Sequence, residues 1–182
     1  MIFLKHCAKK LMSASTNQQS TGALSGMNQD KRLFLESGIE APLDNLLVDA
    51  NAHWGKMNAQ QMLEHLADFF EVSIGKKTYS LVTPEEQLTL YKQFLYSDKV
   101  FRENTKAPVA IIGEEPLPVR THSLQEARQQ LLQAINDFFI FFEAQPAMQT
   151  LHPVFGLLSF EEWILLHYKH VTHHFRQFSL LA

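Results

Sequence analysis

A single cysteine, Cys7, stands among 182 residues. That excludes an intramolecular disulfide framework and any zinc or iron–sulfur site built from several cysteines. Basic excess is also missing: the formal net charge is −3, against the positive balance of a general nucleic-acid binder. No apolar run approaches the roughly 20 residues that cross a bilayer. A phosphate-cradling glycine loop, a dinucleotide fingerprint and a Ser-His-Asp arrangement are lacking too. What is present is 46% hydrophobic and 19% charged residues, the make-up of a soluble, single-domain, cytoplasmic protein. The partners this predicts are a small-molecule substrate, with no nucleic acid and no membrane.

Residues 1–28 differ from the rest. The apolar start Met1-Ile2-Phe3-Leu4 is interrupted by Lys5, His6, Lys9 and Lys10, a poor match to a secretory signal. The stretch 13–25 is rich in Ser, Thr, Gln, Asn and Gly and lacks apolar periodicity. Residues 1–28 are therefore expected to be disordered or poorly ordered, with Met27 an alternative start, and residues 29–182 to form the domain.

Helix-start signals punctuate that domain. Asn58 to Gln61, Thr83 to Glu86, Ser123 to Glu126 and Ser159 to Glu162 each fit the capping box, in which a side-chain oxygen caps early N–H groups and Glu or Gln reaches back. Apolar residues at helical spacing follow each one. The reading is a broken helix at about 30–50, interrupted by Gly38 and Pro42, then helices at 58–75, 84–96, 123–145 and 159–179. An irregular connector marked by Pro108, Pro116 and Pro118 separates the third from the fourth, with a short extended piece expected around residues 109–112. Four principal amphipathic helices with one long crossover predict an all-α four-helix bundle. The run Phe138-Phe139-Ile140-Phe141-Phe142 places its helix in the core or in a homodimer interface.

Histidine is the residue in excess. His167, His170, His173 and His174 fall within eight residues, where a random window of this composition holds roughly 0.4. At about 100° per residue, His170 and His174 share one helix face and can converge on a metal ion. The same spacing also suits a hydrogen-bonded pair of core histidines. Val171 stands where a zinc-protease motif needs its glutamate. His65, on the apolar stripe of Met62, Leu66 and Phe69, is the best third ligand, and its alternative is a satisfied core histidine. His167 projects about 20° from His174 and is an alternative ligand.

Two segments carry a resemblance. Trp54-Gly55-Lys56-Met57-Asn58 with Met62-Leu63-Glu64-His65-Leu66, and His152-Pro153-Val154-Phe155-Gly156 with the stretch 168–178 around His170-Val171-Thr172-His173-His174, resemble the DinB-like superfamily. The likeness is to a domain-of-unknown-function branch within it. It spans about residue 30 to the C-terminus and is specific at the two motifs. It implies an up-down-down-up four-helix bundle holding one divalent metal through His65, His170 and His174. Where the family often reads Arg-Gly-Gln, this chain reads Phe175-Arg176-Gln177, so no role is carried over to Arg176.

Three neutral imidazoles would leave such an ion (zinc, nickel, iron or manganese) with open positions, the catalytic rather than the structural arrangement. Two chemistries follow: hydrolysis by an activated water, or thiol-dependent transfer or isomerisation with a diffusible low-molecular-weight thiol, since Cys7 lies in the tail. The second matches what the wider superfamily includes. Asp68 and Gln177 are the candidate catalytic residues. Asp68 could act as acid–base or orient a histidine, and Gln177 could bind substrate or close the bundle end. His53 and Trp54 could line a pocket mouth, with a hydrophobic staple the plainer role for Trp54. The reading from another class is a non-catalytic bundle whose histidines bind a metal or small ligand.

Overall fold

The computed structural model describes residues 28–105 and 115–182. The tail 1–27 and the expected extended piece at 109–112 lie outside them. The described chain is mostly helical, consistent with an all-α class. The first described residues, 28–33, are helical and pass at Phe34–Gly38 into a π-helical turn, then into a short helix α1, Glu40–Leu43. The interruption at Gly38 is as expected, but the helix stops at Leu43 rather than near 50. Beyond it, Asn45 N–H bonds Pro42 O and Leu46 N–H bonds Leu43 O, three residues back, and the chain turns away.

The main elements are α2 (Ala59–Ser73), α3 (Leu88–Tyr96), α4 (Leu124–Ala144) and α5 (Phe160–Gln177). The capping boxes at Asn58/Gln61 and Ser159/Glu162 are complete. At α4 only half forms: Ser123 caps Glu126 N–H, while the Glu126 carboxylate accepts from His122 N–H instead. The box at Thr83 does not form. Pro84 is extended (ψ 138°), so only a 3-10 turn, Glu85–Gln87, precedes α3. Of the stripe expected there, Leu95 is buried and Leu88 half-buried, but Tyr91 is exposed.

A hairpin absent from the sequence reading joins α4 to α5. Strands β1 (Thr150–His152) and β2 (Gly156–Leu158) pair antiparallel, with His152 opposite Gly156. Gly156 takes φ +76°, and a Cβ there would press on Leu88 at 3.2 Å.

The core is continuous. Phe138, Phe139 and Phe142 are buried within the chain's own interior, leaving Ile140 outward. The most enclosed helix is α5, although it carries four histidines, Lys169 and Thr172. Helix α2 packs along α4, and α3, the π-helical turn and β2 flank α5. No described helix is long and apolar enough to cross a membrane.

Candidate metal centre

The face of α2 that buries Met62 and Leu66 also carries His65, and the face of α5 opposite it carries His170 and His174. The three side chains meet. His65 Nε2 lies 3.0 Å from His170 Nε2, which lies 3.1 Å from His174 Nε2. All three ligand atoms fall within 4.8 Å of one another and could hold a metal ion. Two nitrogens bound at about 2.1 Å to one ion stand roughly 3.0 Å apart at right angles and roughly 3.4 Å apart at the tetrahedral angle. The observed spacings fit that range.

Burial keeps the trio neutral, with lone pairs free for a ligand. It pushes His65 down to about 4, Asp68 opposing and His173 and Arg120 adding to the fall. Burial also holds His170 and His174 well below the ordinary imidazole value, each reinforced by the neighbouring rings. The Phe69 ring lies 4.3 Å and the Phe101 ring 6.4 Å from that of His170, so aromatic surface borders the cluster.

Gln177 is buried beside the cluster. Its Oε1 accepts from His174 Nδ1 at 2.8 Å, and its Nε2 donates to Trp54 O at 2.5 Å. Asp68 is placed differently from both expected roles. Among the described residues its partners are Lys77 and the Arg120 guanidinium (2.9 Å), and none is a histidine. His167 stays outside the cluster. Its ring stacks on Phe70 at 3.8 Å and lies against Trp163, and neither nitrogen has a hydrogen-bond partner among the described residues. His173, turned away from the trio as its spacing predicts, packs against Trp54 and Phe101.

His53 and Trp54 line an open cleft of about 590 Å³ with Glu103, Arg176 and Ser179. None of the three clustered histidines lines it. The Trp54 ring lies against His173, and its carbonyl accepts from Gln177.

Two further polar groups near the site have partners that the sequence reading did not supply. Glu64, buried next to His65, accepts from Arg120 N–H, Thr121 N–H and the Thr121 hydroxyl, tying the end of the connector to α2. Burial acts to raise its pKa, but these bonds prevail and lower it. His152 Nδ1 accepts from Val154 and Phe155 N–H, and burial pushes this ring down to about 3. The His-Pro-Val-Phe-Gly motif was a signal for the second. Nothing in spacing links residue 120 to residue 64. In comparisons with protein-family models, curated proteins and solved structures, nothing matches this chain.

Proposed function

We propose that this chain is a DinB-like, up-down-down-up four-helix bundle that binds one divalent metal ion through His65, His170 and His174 and acts as a metal-dependent enzyme on a small molecule. The observation that carries this is the convergence of three Nε2 atoms from two helices at 3.0 and 3.1 Å, His174 buried and His65 and His170 half-buried. A divalent ion there would supply Lewis acidity and activate a thiol or water nucleophile at neutral pH. Of the two chemistries, thiol-dependent transfer or isomerisation is favoured. Asp68, the candidate base, is engaged by two cations, and thiolate chemistry needs no general base once the thiol is deprotonated.

A second reading has its own support: 3.0 and 3.1 Å are also lengths of N–H···N hydrogen bonds, which suit a non-catalytic histidine trio. Metal analysis of the purified protein separates the two. About one divalent ion per chain is expected, lost in His65→Ala, His170→Ala and His174→Ala variants that remain folded. A metal-free wild type that gains no thermal stability from added zinc, nickel, manganese or iron would sink the proposal.

A further inference from the structure

The Trp54–Gly55 turn and the end of α5 are far apart in sequence, yet two hydrogen bonds join them at Gln177, and a third runs from its side chain to the cluster. His53 N–H donates to Gln177 O at 2.9 Å. Gln177 Nε2 donates to Trp54 O, and Gln177 Oε1 faces His174 Nδ1. The orientation of the amide follows from its partners. A backbone carbonyl only accepts, so the group 2.5 Å from Trp54 O has to be the NH₂ end. The oxygen end then faces His174, and the Nδ1 it faces has to carry the proton. A neutral imidazole with its proton on Nδ1 keeps its lone pair on Nε2, the atom 3.1 Å from His170 Nε2. A reversed amide would set oxygen against oxygen at Trp54 and turn the His174 lone pair away from the cluster.

Gly55 makes this approach possible. It adopts φ +79°, and a Cβ on it would lie 2.7 Å from Gln177 Nε2, closer than a side chain tolerates. The glycine thus serves both the left-handed turn and the contact.

We infer that Gln177, clamped by the Trp54–Gly55 turn, is the positioning residue of the cluster: it locks His174 in the Nδ1–H tautomer so that Nε2 is presented as a ligand. This inference rests on the metal-site reading for its purpose, while the tautomer itself can be observed without metal. Partners of this kind, when removed, typically cost about 10–100-fold in metal affinity.

The test uses the full chain, stripped of metal by a chelator, with zinc as the probe. Long-range ¹H–¹⁵N NMR of the metal-free protein should show His174 protonated at Nδ1 alone. Gln177→Leu and Gly55→Ala should each populate the Nε2–H form and weaken zinc binding about 10–100-fold in chelator competition. Gln177→Glu keeps an acceptor for the His174 Nδ1–H but loses the donor to Trp54 O, so it should retain the Nδ1–H tautomer that Gln177→Leu loses, a rescue that a purely structural role for Gln177 does not predict. Should Gln177→Leu fail to fold, Gly55→Ala carries the comparison, because it displaces the amide without removing any hydrogen-bonding group. A wild-type His174 protonated at Nε2, or variants whose tautomer and zinc affinity match wild type within twofold, would overturn the inference. If wild type binds no zinc yet shows the Nδ1–H tautomer lost in Gln177→Leu, the metal reading fails while the clamp stands.

Discussion

His167 allows a clean test of what the buried histidines do to stability. Its ring is fully buried between Phe70 and Trp163, neither nitrogen is hydrogen-bonded among the described residues, and burial holds its pKa well below the ordinary value. The folded protein therefore keeps it neutral where the unfolded chain, with a pKa near 6.5, takes up a proton. The resulting penalty is nearly absent well above that value and grows as pH falls, to about 2 kcal/mol at pH 5. His167→Phe removes it. At pH 8 the variant gains by losing an unpaired buried N–H, about 1–3 kcal/mol, and loses a comparable amount to its larger ring. The informative quantity is thus the change of ΔΔG with pH. Urea unfolding of chelator-treated wild type and variant at pH 8, 6 and 5 measures it, and the variant should gain about 2 kcal/mol relative to wild type between pH 8 and 5. A pH-dependent change below about 0.5 kcal/mol would mean that His167 is protonated in the folded state, and the reasoning would be refuted.

Four further outcomes follow from the same structure. Lys169→Met should cost about 2–4 kcal/mol in urea unfolding, because the ammonium that bonds Ser97 O and Lys99 O and sits 4.9 Å from the Phe94 ring is lost. Thr150→Val should lower Tm by about 4–8 °C, since its hydroxyl relays Trp163 Nε1–H to Ser73 O and both ends would be left unpaired. Glu64→Gln should cost about 1–3 kcal/mol at pH 7; because the folded carboxylate has a lowered pKa, that difference should shrink as pH falls below 4.5, as unfolding titrations at pH 7 and 4 would show. Zinc at 100 times its dissociation constant should add about 2.7 kcal/mol of stability, or about 5–11 °C in Tm, and the gain should vanish in His65→Ala.

The principal helices were legible because their signals are local. Asn58 and Ser159 each cap within four residues, and the apolar spacing of α2 and α4 follows directly. The sequence reading misplaced what depends on distant partners. Thr83 matches a capping box, yet Val82 N–H is taken by Pro153 O in the hairpin turn and Pro84 turns extended. The hairpin itself has three-residue strands, too short for an alternating pattern, and its turn is held by the His152 ring on two backbone N–H groups. The enclosure of α5 was hidden by its polar composition, since His167 there is buried against aromatic rings and Thr172 turns its hydroxyl back to the Tyr168 carbonyl.

At the candidate centre, spacing identified the three converging histidines but not the roles of their neighbours. Asp68 and Gln177 each lie three residues beyond a clustered histidine, His65 and His174, on the same helical geometry. Either could have bonded the ring one turn back. Asp68 is instead drawn to Arg120 and Lys77, because a charged carboxylate gains more from two cations than from a neutral imidazole. Gln177 carries no charge to neutralise, and the Trp54 carbonyl takes its NH₂ end, which leaves its oxygen for His174. Both outcomes are decided by irregular segments: the connector that brings Arg120 and the glycine turn that brings Trp54. Helical periodicity carries no information about either, so the difference between an ion-paired surface carboxylate and a ligand-orienting amide emerges only once those loops are in place.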